Sequence, residues 1–98
     1  MKENFKDENI DFLIRSILAL ETEEECFNFF CDLCTVTELQ SISQRLVVAK
    51  MLSDKEVYSD IVKKTKASTA TISRVNRSLK YGNDGYDIAF NRLEQKDE

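Results

Sequence analysis

The stretch YSDIVKKTKASTATISRVNRSL, residues 58–79, decides the fold of this chain. It predicts a short helix of about 59–65 that buries Ile61 and Val62, and a second helix for which Ser68 is the N-cap. The buried face of the second helix is predicted at Ile72, Val75 and Leu79. Because a short turn with small side chains joins the two helices, the pattern indicates a helix-turn-helix at about residues 58–80.

The face of the second helix opposite its buried residues is small, hydroxylated and cationic. Small residues allow a helix to approach base edges, hydroxyls bond a base or a phosphate, and Arg forks onto guanine. Lysines around the turn are expected to hold the phosphate backbone. The predicted DNA-binding residues are Lys63, Lys64, Lys66, Ser68, Thr69, Ala70, Thr71, Ser73, Arg74 and Arg77. One alternative stays open, because helical hairpins with a basic face also occur in proteins that bind no DNA.

Lys66 occupies the turn position at which helix-turn-helix proteins often have glycine. A lysine in the left-handed backbone conformation costs about 1 kcal/mol relative to glycine. We therefore expect the turn to be either slightly strained or differently shaped.

The rest of the chain also predicts helices, because it has no Pro and only two Gly and so lacks the turn residues of a many-stranded sheet. Apolar periodicity predicts helices at about 9–20, 23–34 and 38–53, and a last amphipathic helix after a turn at 83–85. Residues 1–98 are expected to form a single all-α domain of about six helices. The apolar stripes are predicted at Leu39, Ile42, Leu46, Ala49 and Leu52 in the third helix and at Tyr86, Ile88, Ala89, Phe90 and Leu93 in the last.

Helix ends are marked by residues that cap the free backbone groups. Thr22 with Glu25, and Thr37 with Gln40, match the capping-box pattern. Ser59 is the predicted N-cap of the helix at 59–65. Gly82 is predicted to end the following helix in the left-handed conformation.

The helix at 23–34 is apolar on most of its circumference, which is unusual for a chain of 98 residues. This pattern predicts a dimer interface, and the alternative is a central helix in a compact monomer. Cys26, Cys31 and Cys34 lie in this segment. Three clustered thiols fit small core residues in a reducing cytosol better than a disulfide framework.

Charge is divided unevenly along the chain, whose net charge is −4. Residues 43–82 hold 9 basic and 3 acidic side chains, whereas residues 1–42 hold 3 basic and 10 acidic ones. A basic centre on an acidic body suits a polyanion-binding surface, although a solvated charged surface without a partner has the same composition.

Composition also excludes several classes of function. Histidine is absent, and the three cysteines are too few for a tetrahedral thiolate site, so no metal, cofactor or catalytic residue is predicted. No apolar run approaches the length of a membrane span, and the start of the chain is unlike a signal peptide. We expect a cytoplasmic protein that is not an enzyme.

The segments FFCDLCTVTELQSISQRLVVAKML (29–52) and YSDIVKKTKASTATISRVNRSLKYGNDGY (58–86) resemble the Trp-repressor superfamily, within it the YerC/YecD-like branch of predicted regulators. The most specific part is ASTATISRVNRSL, and the resemblance covers about residues 10–95. It implies an all-α intertwined homodimer whose N-terminal helices, at about 9–53, interlock between chains. It also implies a recognition helix at 68–80 and a roughly palindromic double-stranded DNA target, with half-sites about 34 Å apart.

The resemblance further implies a small-ligand pocket. In tryptophan-responsive members two arginines hold the corepressor, and they match Arg45 and Arg74 here, while a hydroxyl that binds the amino group matches Ser78. The residue after the second arginine is glycine in those proteins and Val75 here. Because overpacking a filled site costs about 1–3 kcal/mol, we expect Val75 to exclude tryptophan. Arg45 and Arg74 then hold a different small anion or a DNA phosphate, or pair with acids in the chain.

Two functions of different classes remain. The first is a sequence-specific DNA-binding transcriptional regulator, most simply a repressor that acts by occupying its operator. The second is a helical protein–protein adaptor that keeps the fold without DNA binding, which the acidic N-terminal third and Lys66 favour. Salt-dependent binding to duplex DNA separates them.

Overall fold

In a computed structural model, residues 5–97 are described, and their regular structure is helical with no β-strand among them. The all-α prediction is confirmed. The six helices are α1 (Glu8–Leu18), α2 (Glu23–Leu33), α3 (Val36–Ser53), α4 (Tyr58–Thr65), α5 (Thr69–Tyr81) and α6 (Gly85–Asp97). None of them is both long enough and apolar enough to cross a membrane.

The chain divides into two compact units at the boundary between Leu39 and Gln40. The first contains α1, α2 and the start of α3, and the second contains the rest of α3 together with α4, α5 and α6. The helix-turn-helix and the core beneath it therefore belong to the second unit.

The N-terminal caps of α1 and α2 follow the short-range pattern of the sequence. Asp7 accepts a hydrogen bond from the Ile10 backbone N–H at 2.9 Å. The Thr22 hydroxyl accepts one from the Glu25 N–H at 3.1 Å, which confirms the predicted cap. The Glu25 carboxylate completes the arrangement by accepting from the Glu21 N–H rather than from Thr22 itself.

Two predicted N-terminal caps, the Thr37–Gln40 capping box and Ser59, are wrong. At the start of α3, Thr35 and Glu38 form the capping box: the Glu38 N–H donates to the Thr35 hydroxyl, and the Thr35 N–H donates to the Glu38 carboxylate. This pair supplies the reciprocal bonds two residues before Thr37, so the helix begins earlier. At α4, Val57 is the N-cap, and it makes no side-chain cap bond because its side chain has no acceptor. The Val57 carbonyl accepts from the Ile61 N–H, so Ser59 lies inside the first turn.

Gly82 ends α5 without the left-handed conformation that the sequence predicted. Its φ is −88° and its ψ is −146°. A Cβ at this position would lie 2.3 Å from the Ser78 carbonyl oxygen, so glycine is needed here for close backbone approach. Asp84, in the following turn, adopts the left-handed conformation instead, with φ 64°.

The core of the second unit forms where α3, α4, α5 and α6 meet. Its buried residues are Val48, Ala49, Met51, Ile61, Ala67, Ile72, Val75 and Phe90. The half-buried Leu52, Val62, Leu79 and Tyr86 pack against them. The predicted buried faces of α4 and α5 are confirmed, because Ile61 and Ile72 are both completely buried.

The apolar stripes predicted for α3 and α6 are only partly correct. Ile42 and Leu46 remain 43% and 46% exposed, so the core uses only the C-terminal half of α3. On α6, Phe90 is buried and Tyr86 packs against the core, whereas Ile88, Ala89 and Leu93 are exposed. These side chains are apolar at helical spacing, but no other part of residues 5–97 covers them.

Lys50 joins α3 to α6. Its ammonium lies 2.9 Å from the Asp54 carboxylate and 3.7 Å from that of Glu94, and 5.7 Å from the centre of the Phe90 ring. The hydrogen bond to Asp54 is the main reason that the pKa of Lys50 is raised above its usual value. These contacts join the C-terminal half of α3 to α6.

The first unit buries none of the residues of α1 or α2 within the single chain. Phe12, Leu18 and Phe27 are each more than half exposed. Cys26 and Cys34 are half-buried and Cys31 is exposed, all three as free thiols, so the prediction that they are core residues is wrong for the single chain. The apolar helix α2 is therefore not a buried central helix of the monomer.

Candidate nucleic-acid interface

The turn of the helix-turn-helix is built around Lys66. This residue has φ 63° and ψ 13°, which is the left-handed conformation expected of glycine at such a position. Its backbone N–H donates to the Val62 carbonyl at 2.9 Å and so closes the last turn of α4. The sequence predicted a turn that is either slightly strained or differently shaped. The structure shows the strained backbone conformation at Lys66, and the turn keeps the shape of a helix-turn-helix.

Hydrogen bonds from Thr65 support this turn on both sides of Lys66. The Thr65 hydroxyl donates to the Ile61 carbonyl at 2.7 Å and accepts from the Ala67 N–H at 3.1 Å. The Thr65 carbonyl accepts from the side-chain amide of Gln44, on α3, at 3.0 Å. The turn is thus held locally by Thr65 and tied to the neighbouring helix by Gln44.

Ser68 begins α5 as predicted. Its hydroxyl accepts a hydrogen bond from the Thr71 N–H at 3.1 Å and donates to the Thr71 hydroxyl at 3.0 Å. Loss of such a cap typically costs about 0.5–2 kcal/mol. The Ser68 hydroxyl proton is therefore engaged within the helix, although Ser68 itself is exposed at the helix start.

The residues of α5 divide cleanly between two sides of the helix. Ile72 and Val75 are 0% and 2% exposed, whereas Arg74 and Arg77 are exposed. All ten predicted DNA-binding residues are exposed except Thr71, which is half-buried. The structure therefore brings the predicted residues together around the turn and along one side of α5.

Most of the cations on this surface have no carboxylate partner in the part of the chain that the structure describes. Lys64 lies 3.6 Å from the Glu56 carboxylate. Within residues 5–97, no carboxylate lies within ion-pair distance of Lys63, Lys66, Arg74 or Arg77. In an acidic chain, cations that remain unpaired leave a positive surface that attracts an external polyanion.

The three residues predicted to form a small-ligand pocket, Arg45, Arg74 and Ser78, are exposed in the single chain. No described carboxylate pairs with Arg45. The Ser78 hydroxyl donates to the Arg74 carbonyl at 3.3 Å, so its proton is already used. Val75 is part of the buried core, as its size suggested.

A cavity of about 340 Å³ lies at the junction of α5 and α6, and it includes Ser78 but neither arginine. Two carboxylates, those of Asp84 and Asp87, are on its wall, so its chemistry is unsuited to the small anion proposed for Arg45 and Arg74. It is lined by Ser78, Leu79, Gly82, Asn83, Asp84, Gly85, Tyr86 and Asp87.

Gln44 and Thr65 were missed by the sequence pattern. Thr65 is a polar residue at the end of a predicted helix, and no sequence pattern marks it as a residue that supports the turn. Gln44 precedes Thr65 by 21 positions, and nothing in helical periodicity links the two. Their hydrogen bond became apparent only from the packing of α3 against the helix-turn-helix.

The close pairing of α4 with α5, the left-handed turn and the exposed cations of α5 define a helix-turn-helix protein with a basic second helix. The sequence model of the Trp repressor protein matches residues 8–94, and the chain belongs to the Trp repressor family.

Individual relatives agree with this assignment. The chain is 50% identical over 93 residues to the protein YerC of Bacillus subtilis (strain 168), covering 95% of this chain and 89% of YerC. The crystal structure of a TrpR-like protein from Eubacterium eligens ATCC 27750 is 53% identical, covers 94% of this chain and 95% of its own, and superposes with a TM-score of 0.90. A second crystal structure, from Staphylococcus aureus, is 51% identical with a TM-score of 0.89, covering 94% and 92% of the two chains.

Proposed function

We propose that this protein is a cytoplasmic, sequence-specific DNA-binding regulator of transcription that represses by occupying its operator. The observation that carries this proposal is the arrangement of α5, which buries Ile72 and Val75 while Arg74 and Arg77 are exposed without a described carboxylate partner. A guanidinium held on a rigid helix suits the bidentate recognition of guanine in the major groove. Membership of the Trp repressor family supports the same function.

The residues divide into two roles. Thr69, Ala70, Arg74 and Arg77 lie on the exposed side of α5 and are proposed to contact base edges. Lys63 and Lys66 flank the turn and are proposed to contact phosphates, as are the hydroxyl residues Ser68, Thr71 and Ser73. Lys64 reaches a phosphate only by giving up its contact with Glu56, so we expect its contribution to be smaller.

We further propose that the protein acts as a homodimer. Apolar side chains that remain exposed in the single chain support this: Phe12, Ile14, Leu18, Phe27, Leu33, Val36, Ile42, Leu46 and Val47. Soluble monomers rarely leave so many large apolar residues uncovered. A dimer with twofold symmetry places two α5 helices in successive major grooves, so the operator is expected to be roughly palindromic.

Tryptophan is not expected to be the effector. Val75 stands where tryptophan-responsive relatives have glycine, and its side chain is 2% exposed within the core. Room for an indole ring would require displacing this side chain from its packing, at a cost of about 1–3 kcal/mol. Arg45 and Arg74 remain available for a different small anion or for a DNA phosphate.

Selection of bound fragments from a random duplex library tests the function directly. We expect an inverted repeat, bound with an affinity that falls steeply as salt rises. A matched titration uses a scrambled duplex of the same length. An adaptor without DNA binding would enrich no sequence and would show no salt-dependent binding to either duplex.

Calorimetry with a panel of amino acids and indole compounds tests the effector proposal. We expect no saturable binding of tryptophan to the wild-type protein. Saturable tryptophan binding that Arg45→Ala abolishes would show that the ligand site is open in spite of Val75. A Val75→Gly variant serves as the comparison, because it restores the space that tryptophan-responsive relatives have.

A further inference from the structure

The contact between Gln44 and Thr65 joins α3 to the end of the first helix of the helix-turn-helix. The Gln44 amide nitrogen donates to the Thr65 carbonyl oxygen at 3.0 Å, and both residues are half-buried. The last carbonyls of a helix have no partner within that helix and need one from elsewhere. Gln44 provides this partner to the last residue of α4.

The position of this hydrogen bond within the turn is significant. Thr65 immediately precedes Lys66, whose left-handed conformation sets the direction in which the chain enters α5. The other hydrogen bonds of the turn are local, since they join Thr65 to Ile61 and Ala67 and join Lys66 to Val62. The Gln44 bond fixes the turn relative to a different helix, and a local bond cannot do this.

We infer that Gln44 is a positioning residue for DNA recognition, which holds the turn on α3 so that α5 presents Arg74 and Arg77 in one orientation. This inference rests on the proposed DNA-binding function. Gln44 is not expected to touch DNA, because its amide is directed to the Thr65 carbonyl. Loss of the Gln44 hydrogen bond should allow α5 to adopt a wider range of orientations. Binding to the operator would then have to fix one of them, and this free-energy cost lowers affinity for the specific site.

Nonspecific binding should respond differently. It depends on the sum of cation contacts to phosphates and tolerates many orientations of the helix. A loosened turn keeps the same lysines and arginines, so the dependence of affinity on salt should stay unchanged. The ratio of specific to nonspecific affinity is therefore the quantity that separates positioning from a general loss of fold.

The test compares Gln44→Met, which keeps the length of the side chain and removes the donor, with Gln40→Met, the same change at an exposed position of α3. We expect Gln44→Met to lower affinity for the selected operator about five- to tenfold, the equivalent of one lost hydrogen bond. Affinity for a scrambled duplex and the salt slope should be those of the wild type. Gln40→Met should match the wild type throughout.

Amide hydrogen exchange gives a second readout that does not involve DNA. The Lys66 and Ala67 amides are hydrogen-bonded within the turn, and they should exchange faster in Gln44→Met. Amides in the C-terminal half of α3 should keep their wild-type rates. Faster exchange throughout the second unit, with equal loss of specific and nonspecific binding, would mean that Gln44 is merely structural and would overturn the inference.

The remaining outcomes are also decisive. If the wild type binds the operator and Gln44→Met binds it equally well, the positioning role is wrong and the proposed function stands. If the wild type shows no salt-dependent binding to any duplex, the proposed function fails and the inference about recognition fails with it.

Discussion

The hydroxyl of Thr65 accepts a hydrogen bond from the backbone N–H of Ala67 at 3.1 Å, bridging the left-handed residue between them. The same hydroxyl donates to the Ile61 carbonyl, so it is used in both directions. This arrangement keeps the turn closed although its central residue is a lysine. A chain without glycine at this position can therefore retain the helix-turn-helix and carry an exposed cation in the turn.

Lys66→Gly should separate stability from DNA binding. We expect the free energy of unfolding to rise by about 1 kcal/mol, because glycine adopts positive φ without steric cost. The slope of log affinity against log salt should fall by about one unit, as one phosphate contact is lost. Urea unfolding and binding titrations at several salt concentrations measure the two effects.

Lys55→Gly is the matched control for this prediction, since Lys55 also has a positive φ, 67°, and lies in the turn between α3 and α4. It should gain similar stability with no change in the salt slope. An unchanged slope in Lys66→Gly, or an equal drop in Lys55→Gly, would contradict the phosphate contact.

Arg77→Ala should reduce operator affinity by about 1–3 kcal/mol and relax the preference at one base pair, as expected for a base-reading arginine. Competition between the selected operator and single-base variants measures this. Arg92→Ala removes the same charge from an exposed site on α6 and should leave the sequence preference intact. A uniform loss across all sequences in Arg77→Ala would assign this side chain to phosphate instead.

Ile72 is completely buried on the side of α5 opposite its exposed residues. Shortening its side chain should therefore lower the stability of the fold rather than remove a DNA contact. We expect Ile72→Val to lower the free energy of unfolding by about 0.5–1.5 kcal/mol and Ile72→Ala by about 2–5 kcal/mol. Chemical denaturation gives both values. A loss below that range in Ile72→Ala would mean that the core around α5 is looser than the structure indicates.

The capping box of α3 should make stability depend on pH. The pKa of Glu38 is lowered below the ordinary value of 4.5, mainly by the hydrogen bond from the Thr35 backbone N–H. A hydrogen bond with the Thr35 side chain makes a smaller contribution in the same direction. The carboxylate form therefore stabilises the folded chain above that value, and its contribution is lost as the pH falls through the lowered pKa.

Glu38→Gln keeps a residue that can form the capping box but replaces the titratable carboxyl group with a neutral amide. Thermal unfolding from pH 6 downward should show a steeper loss of stability in the wild type than in the variant at acidic pH. Identical pH profiles for the two proteins would exclude this contribution from Glu38.

Local pattern in the sequence was sufficient for much of the fold and of the interface. The order of six helices, the caps at Thr22 and Ser68, and the burial of Ile61, Ile72 and Val75 all follow from it. These features depend on bonds and side-chain periodicities that span a few residues. The exposure of Arg74 and Arg77 follows as well, because burying one face of a short helix exposes the other.

The tertiary structure decided which apolar residues are buried and what holds the turn. Ile42 and Ile88 have the spacing of core residues, yet each is more than 40% exposed in the single chain, because burial requires a partner surface that periodicity does not specify. Likewise Gln44 meets Thr65 only through the packing of α3 against α4. The sequence determines each helix through neighbours three or four residues apart, whereas contacts between helices depend on how the whole chain packs.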